Sequence, residues 1–173
     1  MIALHALTLH RPWQWPMSHK PEPGARWAYK PIENRSWPPP DWLLGRYLAL
    51  HAGKHWDDDG LAHIRRAAHD APGLRAMPGS AADHPQMAIV SVVRVLGYLE
   101  RGKGVTAAPG FEPDEISDGI DLDTWWFGQF GWIVDEATLL ARPVPCRGFQ
   151  KLWTVREDIA AIVRDGWKAA RAA

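Results

Sequence analysis

A lysine, a carboxylate and a guanidinium lie close together in the segment Tyr29–Trp37. Alternate side chains of an extended strand lie on the same face, so Glu33 and Arg35 are expected to share one. Pro31 disfavours a helix at Lys30, and a bend at that point would bring the lysine amine to the same face. The spacing therefore predicts that two cations and one carboxylate form a cluster beside a tryptophan.

Two kinds of chemistry suit such a cluster. It could read the edge of a nucleobase, because a carboxylate accepts from an exocyclic amine while lysine or arginine donates to ring and carbonyl acceptors. It could also transfer protons, because Arg35 would keep Glu33 ionised and a desolvated Lys30 could act as a base. A surface ion pair on a strand would explain the same residues without any function.

Aromatic residues in other segments of the chain suggest a surface on which a base could stack. The run Trp125–Trp132 contains two glycines, which permit sharp turns, so its rings cannot all point in one direction. A ring that stacks on a base contributes roughly 1–3 kcal/mol. We expect the stacking ring to be Trp13 or an aromatic residue between 126 and 132, and most of the 11 tryptophans to lie in the core.

The charge of the chain is neutral in total but uneven along its length. The 20 basic and 20 acidic residues cancel, which argues against a protein that coats nucleic acid with a uniform basic field. Residues 1–56 and 142–173 each carry +4, whereas residues 57–141 carry −8. If the two ends of the chain meet in space, we expect them to form one basic face.

Composition narrows the class of protein. With 173 residues, 46% hydrophobic and 23% charged, the chain suits one globular domain. The single cysteine, Cys146, excludes an intrachain disulfide and a cysteine-based zinc site. The N-terminus lacks the pattern of a signal peptide, and the longest apolar run, 87–93, is too short to cross a bilayer. We therefore expect a cytoplasmic protein without a membrane segment.

Metal and cofactor sites are not expected. His51 and His55 lie four residues apart and precede the run Asp57–Asp59, but His51 falls at a strand end and His55 beyond a Gly-Lys turn. Helical spacing therefore does not apply, and the aspartates are better explained as caps of a helix. The usual dinucleotide, phosphate-loop, zinc-protease and esterase motifs are missing.

The alternation of short apolar runs predicts an α+β fold, in which a small β-barrel or curled sheet carries flanking helices. One helix follows Asp57–Asp59, and a second is expected at about 155–171, with Thr154 and Glu157 as a capping box. Residues 102–123 are expected to form a long surface loop that could act as a lid. The predicted strands are 3–9, 30–35, 46–52, 87–99, 132–135 and 151–155.

Several segments, in order and spacing, resemble the ASCH family of PUA-like domains. They are Leu7–Trp13, Lys30–Trp37, Tyr47–Lys54, Ala88–Val93, Trp125–Trp132, and Pro143–Gly148 up to Trp153. The resemblance implies a single PUA-like domain over 1–173, with the barrel at about 3–155. It also implies a cleft lined by the motif Gly-x-Lys-x-x-Glu-x-Arg, of which Lys30, Glu33 and Arg35 supply the last three positions while Ala28 replaces the glycine.

The family resemblance implies nucleic-acid or nucleoside partners. We accordingly expect a domain that recognises a base, modified or not, in RNA, in single-stranded nucleic acid or in a nucleoside. In this interpretation Lys30, Glu33 and Arg35 hold the base edge, and Arg11, Lys54 and Arg147 contact phosphate. The remaining candidates for ligand binding, taken from the same matching segments, are Trp13, His51, Trp126 and Gln129.

Enzymatic alternatives remain open at this point. Small relatives hydrolyse N4-acylated cytidine nucleosides with a Lys-x-x-Thr-x-Arg version of the motif, and other relatives are assigned ribonuclease activity. Glu33 stands in place of that threonine, so hydrolysis here would need water activated by Glu33 or Lys30, the two candidate catalytic residues. A protein-interaction domain that uses its tryptophan-rich surface is a third reading. Sequence does not specify the oligomeric state.

Overall fold

The computed structural model describes residues 3–172 and has an α+β fold. Its strands are β1 (His5–Arg11), β2 (Ile32–Arg35), β3 (Tyr47–Trp56), β4 (Ala88–Glu100), β5 (Gly104–Ala107), β6 (Phe130–Pro145) and β7 (Leu152–Thr154). Its α-helices are α1 (Gln14–Ser18), α2 (Asp58–Ala67), α3 (Pro113–Ser117), α4 (Leu122–Trp125) and α5 (Glu157–Ala172). Short 3-10 turns lie at Asp41–Leu43, Pro72–Ala76 and Ala81–Asp83.

All seven strands belong to one mixed sheet, in the order β2-β6-β4-β3-β1-β7, with β5 on β4. Strands β1 and β3 are parallel, and the other pairs are antiparallel. Register shifts interrupt the long β4–β6 ladder, and such bulges bend a strand and increase its twist. The expected α+β class is confirmed. Among residues 3–172 the pairings leave β2 and β7 as separate edges, so they do not close the sheet into a barrel.

The alternation of side chains along the strands divides the core between the two faces of the sheet. Leu7 and Leu9 of β1 pack in one cluster with Trp132, which is fully buried. Ala6, the residue before Leu7, alternates to the other face and belongs to a second cluster that α5 covers through Val163. Strand β1 therefore lies between β3 and β7 and has packed side chains on both faces, while its C-terminal part, beyond Leu7, pairs with β3.

The first and last strands of the chain pair directly. His5 lies opposite Thr154 in the antiparallel β1–β7 ladder, so the two ends of the chain meet in space, which was the condition set for a common basic face. This pairing also corrects the predicted capping box, because Thr154 is a strand residue and α5 begins at Glu157. The other predicted cap is confirmed: the Asp57 carboxylate accepts from the Gly60 amide at 2.8 Å, at the start of α2.

The long loop expected at 102–123 is partly regular. It contains β5, which extends the sheet beside β4, and the short helix α3. Ile116 of α3 is fully buried in a third core cluster, which also contains Leu96 and Trp125. This apolar side chain therefore anchors the segment. Within the described residues, no helix combines the length and apolarity needed to cross a membrane.

Candidate functional site

A cavity of about 210 Å³ opens between the end of β1, strand β2 and the loop before β6. Lys30, Glu33 and Arg35 all line it, so the cluster expected from the sequence forms in a concave site and not on a flat surface. The other lining residues are Thr8, Leu9, His10, Trp13, Asn34 and Phe127.

Local backbone geometry brings Lys30 to the other two charges. Strand β2 pairs with β6 so that Glu33 lies opposite Trp132, while the Lys30 amide, just before the strand, donates to the Pro16 carbonyl at 2.9 Å. The lysine side chain extends along β2 towards the following residues. Its Nζ donates to the Ile32 carbonyl and to Glu33 Oε2, the latter at 3.3 Å. The bend expected before β2 is thus present.

Glu33 connects the two cations. Its Oε2 faces Lys30, and its Oε1 lies 2.9 Å from Arg35 Nη2, which also donates to the Thr8 carbonyl at 3.2 Å. Lys30 is only 1% exposed, and burial lowers its pKa, an effect that the Glu33 carboxylate opposes. With both cations charged, the cluster has a net charge of +1 and is closed off from water at the lysine.

Arg35 keeps hydrogen-bonding capacity for a ligand. Its Nε is buried and has no hydrogen-bond partner among the described residues. A buried donor without a partner costs free energy, on the order of 1–3 kcal/mol. A ligand oxygen or ring nitrogen that reached this buried Nε would remove the cost, while the free lone pairs of Glu33 could accept from a ligand amine.

Two aromatic rings form walls of the cavity. The centroids of Trp13 and Phe127 lie 5.8 Å apart with the planes inclined by 46°, so they cannot sandwich a flat ring between parallel faces. Trp13 is fixed because its Nε1 donates to Asp57 Oδ2 at 2.7 Å, whereas Phe127 is 51% exposed. Phe127 therefore offers the freer face for stacking, in the range 126–132 that the sequence indicated.

Asn34 determines the position of Phe127, a role that the sequence reasoning missed. Its Oδ1 accepts from the Phe127 and Gly128 amides, both at 2.8 Å, and its Nδ2 donates to the Trp125 carbonyl at 2.9 Å. The only signal for this role was the position of Asn34 inside the charged segment. One side chain thus connects β2 to the loop that carries the aromatic wall.

His10 was also missed as a lining residue. Its ring meets that of His55 edge-on at a centroid distance of 4.4 Å. Burial, and then the neighbouring His55, lower the pKa of His10, which favours the neutral imidazole at neutral pH. In that state one ring nitrogen can accept and the other can donate.

Arg11 and Lys54, two of the expected phosphate contacts, lie outside the lining of the cavity. The Arg11 guanidinium is buried and donates to the carbonyls of Ala81 and Lys54, each at 2.8 Å. It therefore joins the 3-10 turn Ala81–Asp83 to β3. The Lys54 side chain is exposed on β3.

His51 belongs to the packed interior, and Trp126 is partly buried against it. His51 is fully buried, with Nε2 at 3.1 Å from the Cys146 carbonyl and Nδ1 at 3.3 Å from Thr8 Oγ1. Trp126 packs against the third core cluster, beneath the Arg101 guanidinium at 5.1 Å. Neither residue lines the cavity.

Gln129 and Arg147, the last two candidates, are exposed. The Arg147 guanidinium lies 5.4 Å from the ring centroid of Phe149. The structure therefore brings together Trp13, Lys30, Glu33 and Arg35 and places the other six predicted residues outside the cavity lining.

Comparison of the chain with models of known protein families gave no match, and comparison with curated proteins gave none either. Between residues 3 and 172, no group of three or more histidine, cysteine or acidic side chains is arranged to hold a metal ion. A functional proposal for this chain therefore rests on the cavity and on the resemblance of its sequence segments.

Proposed function

We propose that the chain is a nucleic-acid or nucleoside binding domain that recognises one base, modified or not, in the cavity around Lys30, Glu33 and Arg35. The observation that carries the proposal is that these three charges line an open cavity together with an exposed aromatic ring. A structural ion pair would need no cavity beside it. A base needs both a polar edge and a face to stack on.

The donor and acceptor groups suit a base edge. Arg35 Nε has a free N–H among the described residues, and Glu33 can accept from an exocyclic amine. Phe127, half exposed at the same cavity, would stack on the base. The small volume of about 210 Å³ favours one base over a larger ligand.

We further propose that the sheet is a PUA-like barrel of the ASCH type. Four of the segments that carry the resemblance lie on β1, β2, β3 and β4, which are parts of one sheet. The register shifts along the β4–β6 ladder support the proposal, because bulges bend strands and increase their twist. A solved structure in which β2 and β7 stay apart on a flat sheet would contradict this assignment.

Two matched variants test base binding. Phe127 and Phe149 are 51% and 52% exposed, but only Phe127 lines the cavity. Phe127→Ala should weaken binding of the preferred nucleoside about 10- to 100-fold, as expected for one stacked base, while Phe149→Ala leaves it unchanged. The measurement is calorimetry with the four ribonucleosides and N4-acetylcytidine. Equal affinities of the two variants would contradict stacking at Phe127.

Salt dependence separates a polymer ligand from a nucleoside. Contacts to phosphates make binding of single strands fall with salt, with a logarithmic slope of about −0.7 for each contact. If RNA is the partner, oligonucleotide affinity should fall steeply between 50 and 200 mM salt, and nucleoside affinity should not. If the affinities for the oligonucleotide and for the nucleoside are both independent of salt, the site binds a nucleoside and makes no phosphate contacts.

One observation favours a second function, an amidohydrolase for N4-acylated cytidine nucleosides. Lys30 is buried with a lowered pKa beside a carboxylate, which is the environment of a lysine that can act as a base. Glu33, or Lys30 after a movement that exposes its amine to the cavity, would remove a proton from water as the water attacks the acyl carbonyl, and the cytidine amine would leave with that proton. Incubation with N4-acetylcytidine would then release cytidine and acetate. No release between pH 6 and 10 would exclude this activity.

A further inference from the structure

A second and larger cavity, of about 450 Å³, lies between the start of β1, the 3-10 turn Asp41–Leu43 and α5. His5 lines it, whereas Thr8, Leu9 and His10 line the first cavity, so the two sites use opposite ends of the same strand. Its volume lies in the usual range for small-molecule sites, about 300–1,000 Å³. The function proposed above does not use it.

Aromatic rings form the walls of this cavity. Tyr47 and Trp167 pack at a centroid distance of 4.6 Å, and His5 packs on Trp42 at 4.5 Å. The Tyr47 hydroxyl donates to Glu136 Oε2 at 2.7 Å, which fixes one wall. Trp42 is 44% exposed, although tryptophan is usually well buried. These walls suit a flat aromatic ring.

The cavity floor is apolar. It consists of Leu43, Val92 and Val163, which are all buried in the core. A ligand that fills this space must therefore be largely hydrophobic. A free sugar or a phosphate would leave polar groups facing hydrocarbon.

Of the polar groups of the lining, the Arg46 guanidinium suits an anionic oxygen. The Trp167 Nε1 is buried, and it has no hydrogen-bond partner within residues 3–172. Arg46 is exposed at the cavity and forms no ion pair within the same residues. Arg164, which also lines the cavity, is paired with Glu157 at 2.6 Å.

We propose that this cavity binds a small aromatic carboxylate. The aromatic ring of the ligand lies over the apolar floor, against the exposed Trp42 ring and the Tyr47 ring. The carboxylate pairs with the exposed Arg46 guanidinium.

A pair of probes that differ only in charge tests the proposal. 2-Naphthoate and 2-naphthylmethanol have the same rings, but only the former is an anion. We expect 2-naphthoate to shift the Trp167 indole N–H resonance saturably, with about tenfold tighter binding than the alcohol. The resonance is assigned by its loss in Trp167→Phe, or by triple-resonance spectra if that variant does not fold.

Matched variants complete the test. Arg46→Gln should abolish most of the preference for the anion, while Arg142→Gln, at an exposed arginine that does not line the cavity, should preserve it. Neither variant should alter nucleoside binding, so failure here is distinguishable from failure of the proposed function. The proposal is overturned if 2-naphthoate leaves Trp167 unmoved, if it shifts Trp13 instead, or if Arg46→Gln keeps the full preference.

Discussion

Replacing Glu33 with glutamine tests the electrostatics of the site directly. The amide keeps the shape of the side chain but removes the negative charge that faces both Lys30 Nζ, at 3.3 Å, and Arg35 Nη2, at 2.9 Å. Lys30 is 1% exposed and cannot turn to water for compensation. We therefore expect Glu33→Gln to destabilise the fold as well as to weaken base binding.

Two independent limits give the size of this loss. Removing one partner of a buried ion pair typically costs about 3–5 kcal/mol. Lys30 can also lose its proton, so that the buried amine is neutral and no unpaired charge remains. Because its ordinary pKa is 10.5 and each pKa unit corresponds to about 1.36 kcal/mol, keeping the amine neutral at pH 7 costs at most about 5 kcal/mol. We expect a loss of about 3–5 kcal/mol in the free energy of unfolding, measured with urea at pH 7.

A double variant separates lost charge compensation from lost packing. Lys30→Met on the Glu33→Gln background removes the stranded cation, so the double variant should be about 2 kcal/mol more stable than Glu33→Gln alone. A double variant that is less stable than Glu33→Gln would refute the reasoning.

The pH dependence provides a second check of the same prediction. A lysine whose folded pKa lies below 10.5 binds its proton less readily in the folded state than in the unfolded state, so stability rises with pH up to 10.5. The loss in the free energy of unfolding that Glu33→Gln causes should therefore become smaller between pH 7 and pH 10. A deficit that stays constant over this range would show that Lys30 is not the stranded charge.

Three further predictions follow from other contacts. Asn34→Ala should cost about 2 kcal/mol in urea unfolding and speed amide exchange at Phe127, because it removes three hydrogen bonds to the loop; unchanged exchange would contradict this role. Gly148→Ala should reduce the free energy of unfolding by about 1–3 kcal/mol and therefore lower the melting temperature, because the added Cβ would lie 2.3 Å from His51 Cε1. An unchanged melting temperature would show that the His51 ring has room to move. Burial lowers the pKa of His51 from 6.5, so the folded state resists its protonation and stability should fall below pH 6.5. His51→Gln should lose less stability than the parent chain between pH 7 and pH 5, and equal losses would assign the acid sensitivity to other groups.

The sequence was sufficient to predict the charged cluster because its logic is local. Period-two alternation put Glu33 and Arg35 on one face, and Pro31 marked the bend that returns Lys30 to them. The helix cap at Asp57 was likewise predictable from neighbouring residues. The α+β class followed from alternating short apolar runs, which β1, β3 and β4 confirm.

Long-range contacts decided what the sequence could not predict. Arg11 lies within a segment that resembles the family, yet its guanidinium donates to the carbonyls of residues 43 to 73 positions away. His51 was a reasonable ligand candidate from the sequence, but in the structure β1 and the segment after β6 cover its ring. Helix α1 has only five residues, too few to show a helical period. The partner of Asn34 is a loop more than 90 residues away, which no local pattern reveals.

The most direct measurement of the proposed function is a titration of the ¹⁵N-labelled chain with the four ribonucleosides and N4-acetylcytidine. Base binding in the cavity predicts a saturable downfield shift of the Arg35 Nε–H, the buried donor that lacks a partner among the described residues, with a matching shift of the Phe127 amide. The Phe149 amide, outside the cavity, should stay in place. If every nucleoside at millimolar concentration leaves the Arg35 and Phe127 resonances unmoved, the cavity is not a base-binding site.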